Sequence, residues 1–416
     1  MGYATQVGGT TMKFTRPQIR VLCALTLAYT CGYICRTHIS MLLPSLMEAF
    51  SLTQAQGGLI ATLFAVVYAC GQLVVGLVVD RVNPRACILS GLVIASAANF
   101  GCSLAPSYEW ILALWTLNAI GQSMLWTPVV RILALTYQDA ARERASFILS
   151  LILVLAYVAA WLLAGLITSY IGWRQAFAVP AGVTLAGGLC AYCMLRGTKA
   201  APAAHAAAAP QEKESAKMPL GRVMLSTGLF LVLIGSVCNG FMRDSIMNWA
   251  PTILMQTQGL ALDGVLGVAL IIPLVNELGI LFGRQCYRWF RMDARRCTAA
   301  MLLMGSATSL LLFLLTDVHV GLLGALLALT AATAYGLNPM ITTLLPLEYD
   351  RLRLVGTVAG MVDAAIYLGS GLAGILAGAV AQSAGWQAVF ALWCASGVAG
   401  ATLILLSARE RYRKNL

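Results

Sequence analysis

The segment Gly76-Leu77-Val78-Val79-Asp80-Arg81-Val82-Asn83-Pro84-Arg85 closes one long apolar run and leads into another. Residues 54–79 and 86–104, on either side of it, contain no acidic or basic side chain. Runs of that length are long enough to cross a bilayer as helices. The charged turn between them therefore marks one membrane face. Gly76 permits close helix approach, and Asp80 can accept hydrogen bonds from a neighbouring helix N-terminus.

Working outward from this turn, apolar runs bounded by charges fall at 21–47, 54–79, 86–104, 110–136, 145–169, 174–195, 223–255, 264–283, 297–316, 319–345, 355–380 and 386–407. This pattern predicts an all-α membrane protein of twelve transmembrane helices. The composition agrees: 60% of the 416 residues are hydrophobic and 10% are charged, against about 25% charged in ordinary soluble domains. A soluble enzyme is excluded, because so few charges cannot cover so much apolar surface. The net charge of +11 sits in short runs between spans, which is not a nucleic-acid footprint. Of the 27 Lys and Arg, Arg36, Arg131 and Arg243 lie inside spans and Arg174 at one boundary; the other 23 all fall on the side holding both termini. By the positive-inside rule both termini are expected in the cytoplasm, with the protein multi-pass in the cell (inner) membrane. The polar stretch 1–20 and the long first apolar run argue against a cleaved signal.

Residues 196–222, with Ala-Pro and Gln-Glu-Lys-Glu stretches, read as a cytoplasmic linker. The expected organisation is an N-terminal six-helix bundle over 1–195 and a C-terminal one over 223–416. The halves repeat each other. Gly172-Trp173-Arg174-Gln175-Ala176-Phe177 recurs as Gly385-Trp386-Gln387-Ala388-Val389-Phe390, and Arg36 of span one has a counterpart in Arg243 of span seven. The two Gly-Trp turns are expected to anchor at the lipid headgroups. A duplicated six-span unit is the architecture of a two-bundle secondary transporter, with substrate held between the halves near the midplane.

Charged residues inside spans are costly and usually face the bundle interior. If the halves face each other, Arg36 and Arg243 point into one cavity, and two guanidiniums there call for an anion between them. The alternative is neutralisation by Glu277 or Asp363. Asp244 follows Arg243 directly, and adjacent helix residues do not face each other. Glu277 is expected either to carry a coupling proton or to partner a buried arginine. His38 is expected to pack in the core in preference to relaying protons, and Arg131 to form a gating or structural ion pair. Cys190 and Cys193 have zinc-ligand spacing but no His or second pair nearby. Neither a metal nor a cofactor is expected, and no nucleophilic triad or phosphate-cradling loop is present. The chain therefore reads as a non-enzyme.

The turn at Gly76–Arg85 resembles the Gly-x-x-x-Asp-Arg/Lys-x-x-Arg signature of the major facilitator superfamily, which implies a gating latch from Asp80, Arg81 and Arg85. The second half keeps Gly283 and Arg288 but has Tyr287 in the acid's place, so the basic cluster Arg284 to Arg296 is expected to anchor to headgroups. Further motifs narrow the resemblance: Tyr33-x-x-Arg36 with Pro44; Gln122-x-x-x-Trp126-x-Pro128-x-x-Arg131; Arg243 with Trp249, Pro251 and Thr252; and Gly356-Thr357-x-Ala359-Gly360 with Tyr367-Leu368-Gly369. Together they resemble the organophosphate:phosphate antiporter family, including the glycerol-3-phosphate and hexose-6-phosphate exchangers. That resemblance implies that Arg36 and Arg243 clamp a phosphate-like head, with Tyr33 and Tyr367 donating hydrogen bonds.

Departures from the glycerol-phosphate branch bear on the ligand. Thr37 and Gln72 stand where it has Lys, Leu155 where it has His, and Asn248 where it has Asp. Asp244, Asp363, Glu277 and His38 are what this chain offers instead. A monoanion or a zwitterion suits that set better than a bulky dianion, with Gln72 and Asn248 as further contacts and Glu277, Asp363 and Asp244 as coupling candidates. The expected partners are a small anionic substrate, phosphate or a proton as coupling ion, and the lipid bilayer. A monomer that binds no nucleic acid is expected. A membrane receptor for a phosphorylated metabolite and proton-coupled drug efflux remain as alternatives.

Overall fold

The computed structural model describes residues 14–78, 82–137, 139–196, 220–315, 318–349 and 354–408. Most of the predicted linker lies outside the described residues, as do Asp80 and Arg81. The described chain is helical, without a strand. Among the described residues, nine helices are long and apolar enough to cross a membrane. The last, α15 (Val355–Ser407), is long enough to cross twice and turns at Gly385. The fourth span is interrupted, and the fifth is carried by the 32-residue helix Asp139–Tyr170, of which Leu155–Tyr170 counts as a shorter apolar helix. With these included the architecture is twelve transmembrane helices in two six-helix bundles.

In the first half the spans are α1 (Arg16–Thr37) with α2 (Ile39–Ala49), α3 (Gln54–Val78), α4 (Pro84–Ser103), α5 (Tyr108–Ser123) with α6 (Trp126–Thr136), α7 (Asp139–Tyr170) and α8 (Trp173–Met194). In the second half a short α9 (Leu220–Ser226) precedes α10 (Leu229–Gln258), α11 (Leu262–Trp289), α12 (Ala294–Leu314) and α13 (Val320–Gly336). A π-helical turn (Met340–Leu344) and α14 (Leu345–Leu347) continue the tenth span before α15. Three predicted spans are thus not continuous helices. The first is interrupted at His38 and the fourth at Met124–Leu125. The tenth loosens after Pro339, whose ring removes a backbone donor, so the ladder widens to π spacing.

The duplicated Gly-Trp turns occupy equivalent corners. Gly172 has φ 121° and Gly385 φ 77°, a region that side chains with a Cβ rarely adopt. The second of their tryptophans corrects the headgroup expectation. Trp386 is buried against Trp249, with ring centroids 5.4 Å apart, and donates to Gln256 at 2.9 Å. Trp173 packs on Phe50. Trp386 closes the end of its bundle from within, whereas Trp173 is half-buried with the Arg174 guanidinium 4.2 Å over its ring.

The halves meet near the face opposite the two described chain ends. A Cβ at Gly58 of α3 would collide with the Gly374 carbonyl of α15, and the reverse substitution would collide likewise. Thr62 Oγ1 donates to the Gly371 carbonyl at 2.6 Å and accepts from the Ile375 amide at 3.0 Å. Gln54 pairs with Gln256 at 2.9 Å. On the other side of the bundle, Gly165 of α7 lets Leu266 of α11 pack close. Small residues permit these backbone approaches, which is how helices associate without a hydrophobic drive.

Candidate functional site

Below that closed face a cavity of about 730 Å³ lies between the halves. Its wall brings together the predicted Tyr33, Arg36, Gln72, Arg243, Asp244, Asn248, Asp363 and Tyr367. Gln72, Leu73, Trp126, Thr342, Thr343 and Gly360 line it toward the face that bears the chain ends.

Arg36 is held by aromatic rings. Its guanidinium carbon lies 4.3 Å from the centroid of Tyr68, 5.3 Å from Phe64 and 6.0 Å from Tyr33. It has no acidic or hydrogen-bonding partner among the described residues. Ring faces stabilise a desolvated cation while leaving its five donors unspent. Tyr68 in turn meets Tyr367 of the other half at 5.3 Å between centroids, so this ring pair floors the cavity. Gln72 fixes the arrangement: its amide donates to the Tyr68 hydroxyl at 2.7 Å and accepts from Thr127 at 3.1 Å.

The backbone that carries Arg36 is braced from three other spans. Asn99 and Asn118 both donate to the Cys35 carbonyl, at 3.2 and 2.9 Å. Gln122 donates to the Gly32 carbonyl at 2.9 Å, and Trp161 to the Thr37 carbonyl at 3.0 Å. These buried side chains hold the end of α1 at the depth where its helix is interrupted. His38, at that break, is fully buried between Trp115 and Phe177, with ring centroids at 5.6 and 5.2 Å.

Arg243 sits in a different environment. Its Nε and one terminal nitrogen contact the two carboxylate oxygens of Asp244 at 2.7 and 3.0 Å. It also contacts Asn338 Oδ1 at 3.4 Å and the Tyr335 ring at 5.5 Å. This corrects the expectation that the two neighbours do not meet. The facing rule concerns Cβ positions, whereas the long arginine stem bends back over its own backbone to reach the next carboxylate. It also removes the two predicted neutralisers. Asp363 lines the cavity without an ion pair among the described residues. Glu277 is half-buried on α11, outside the cavity wall, and pairs with neither arginine.

At the face bearing the chain ends, the first half shows Arg85 donating to the Leu195 carbonyl at 2.8 Å and Arg131 reaching the Val82 carbonyl at 3.4 Å. The second half has a counterpart at Arg295. This side chain is fully buried, which corrects the headgroup-anchor expectation for it. It contacts Glu348 and the Thr227 carbonyl at 3.1 Å, Tyr349 at 3.2 Å and the Ser407 carbonyl at 2.5 Å. Arg85 and Arg295 each start a third span and reach the end of the sixth, so the repeat does keep a basic clasp in its second half.

The chain belongs to the Major Facilitator Superfamily, whose model matches residues 25–349. It is therefore a multi-pass membrane transport protein. Among its relatives is a probable hexose phosphate transport protein of Chlamydia trachomatis serovar D, 23% identical over 93% of this chain and 90% of that one. The glycerol-3-phosphate transporter of Bacillus subtilis is 22% identical over 95% and 93%. A probable sulfoacetate transporter of Cupriavidus necator is 25% identical over 86% and 84%. These match the family resemblance read from the motifs. In fold, the chain is similar to a bacterial homolog of the human lysosomal transporter Spinster, crystallised inward-facing and occupied. The TM-score is 0.74 at 20% identity, with 97% of each chain covered.

Proposed function

We propose that the protein carries a small organic anion across the inner membrane by alternating access, with both termini in the cytoplasm. The anion's acidic head binds Arg36 first, with Arg243 as the second cationic contact. The supporting observation is the cavity wall, where Arg36 presents an unpaired guanidinium from the first half opposite Arg243 of the second. The relatives named above are transporters of phosphorylated or sulfonated small anions by their names, which supports the same substrate class. The two bundles, 1–195 and 223–416, rock about the Tyr68–Tyr367 contact, and 196–222 is the tether between them. With the glycine contact of Gly58 and Gly374 closed, this conformation opens to the cytoplasm. An anion on Arg36 neutralises the one unpaired guanidinium in the described cavity wall and so lowers the barrier to closure, which favours exchange over uncoupled flux.

Reconstituted vesicles test this. Counterflow of labelled glycerol 3-phosphate, sulfoacetate, inorganic phosphate or 2-aminoethylphosphonate is expected for at least one of the four and lost in Arg36→Ala. Counterflow that survives Arg36→Ala unchanged defeats the proposal. Ligand binding without counterflow would favour the receptor alternative, which a membrane sensor of Salmonella typhimurium also supports at 30% identity over 29% of this chain.

A further inference from the structure

We propose that the substrate is a zwitterion, its acidic head on Arg36 and its ammonium on Asp363. This rests on the anion-transport function proposed above and specifies its ligand.

The described cavity wall holds four charged side chains: Arg36, Arg243, Asp244 and Asp363. Arg243 and Asp244 satisfy each other through two contacts. What remains is one cation and one anion, each without an ion pair among the described residues, both facing the same space. Asp363 is exposed within the cavity and Arg36 half-buried, and for each an ion of opposite sign is the natural complement. A ligand with both signs complements both residues and adds less net charge than the amine-free anion to a site that is itself neutral by formal count. A dianion would leave negative charge in excess beside Asp363.

The geometry fits a short molecule. Arg36 lies over Tyr68, Tyr68 contacts Tyr367, and Asp363 is one helical turn before Tyr367 on the same face. Both charged groups line the same cavity, so a short molecule with its head and amine a few bonds apart is the size to test. The space at Gly360, on the turn before Asp363, is open: a Cβ there would meet no atom within 4 Å. The other polar lining groups, including Asn248, Asn338, Thr342 and Thr343, are neutral. No cation other than the engaged Arg243 therefore competes for Asp363 from the described cavity wall.

Matched ligand pairs test the proposal on the full-length protein in lipid nanodiscs, by equilibrium binding and thermal shift. The pairs are 2-aminoethylphosphonate and ethylphosphonate, phosphoethanolamine and ethyl phosphate, and taurine and ethanesulfonate. For at least one pair, the amine-bearing member is expected to bind roughly 10- to 100-fold tighter than its partner. Asp363→Asn should erase that preference while the amine-free member binds as well as before or better. Arg36→Ala should weaken both members. Equal binding within every pair overturns the proposal, as does binding of phosphate or sugar-phosphate dianions alone, or a preference that survives Asp363→Asn. Loss of proton-driven uptake of both members in Asp363→Asn, with their exchange intact, would assign the carboxyl to proton coupling and also overturn it. None of these results removes the arginine site. Only undiminished binding in Arg36→Ala does that.

Discussion

Arg36 and Arg243 occupy matching places in the two halves, yet each half solves the problem of a buried cation differently. In the first, three aromatic rings surround the guanidinium and side chains from three other spans pin its helix. In the second, an adjacent carboxylate neutralises it. Rings stabilise a cation without using its donors, whereas a carboxylate consumes two of them. The first arrangement leaves a guanidinium ready for a ligand; the second builds a neutral, oriented fork. Sequence symmetry thus does not carry over into functional symmetry, because the residue that differs, Asp244, has no acidic equivalent at Thr37.

The sharpest way to break this comparison is to remove the exposed donors. Arg36→Ala is expected to weaken anion binding by roughly 10²- to 10⁴-fold, the loss of two charge-assisted hydrogen bonds. Arg36→Lys should recover only part of this, since an ammonium cannot make the two-pronged contact or spread over the rings. Titration of the purified variants measures both. Equal losses in Arg36→Ala and Arg243→Ala would show that the halves share the ligand evenly, contrary to the distinction drawn here.

The clasps at the chain-end face make a parallel contrast. Arg295 is wholly buried and meets a carboxylate, a hydroxyl and two carbonyls, whereas Arg85 reaches one carbonyl. Removing one partner of a buried charge network costs about 3–5 kcal/mol, and one hydrogen bond about 1 kcal/mol. Arg295→Ala should therefore lower the melting temperature several times more than Arg85→Ala. A comparable drop in both would mean that the two clasps are equally built.

Next comes the fork itself. Arg243→Ala leaves Asp244 unpaired and should cost about 3 kcal/mol, the low end for a buried pair because both groups face the cavity. The double variant Arg243→Met with Asp244→Leu should recover most of that stability. A double variant no more stable than Arg243→Ala would show that the pair does not neutralise itself as described.

Much of this was legible in the sequence, for reasons that lie in its periodicity. Charge-free runs and one-sided Lys and Arg placement fixed twelve spans, and the repeat of Gly172-Trp173 as Gly385-Trp386 marked the duplicated halves. The cavity's arginines were legible because a charge inside an apolar run has few other uses. Tyr68 was missed, although it lies one turn before Gln72 and so shares its face. Tyr335 and Asn338 carried no signal, because an aromatic or amide in a span is as often packing as lining. The Arg243–Asp244 fork was hidden by a rule about Cβ directions, which says nothing of how far a flexible stem reaches. The inward burial of Arg295 was masked by the basic cluster around it. Nearby arginines in one loop look alike until their contacts are seen.

The smallest effect tests the bracing of the first half. Asn118 spends its amide on the Cys35 carbonyl at 2.9 Å, beside the interruption at His38, so the bond serves to place the end of α1. In the second half Asn239 is equally buried, but neither of its amide atoms has a partner among the described residues. Asn118→Ala should therefore weaken anion binding about fivefold, equivalent to roughly 1 kcal/mol, by loosening the guanidinium's position without touching the ligand. Asn239→Leu should leave binding unchanged and hold or raise the melting temperature, since replacing an unsatisfied buried amide by an apolar group removes a desolvation cost. If Asn118→Ala lowers stability and affinity in proportion, the amide is ordinary packing. If affinity falls while stability holds, the polar collar positions Arg36, and the first half's cation is preorganised in a way the second half's is not.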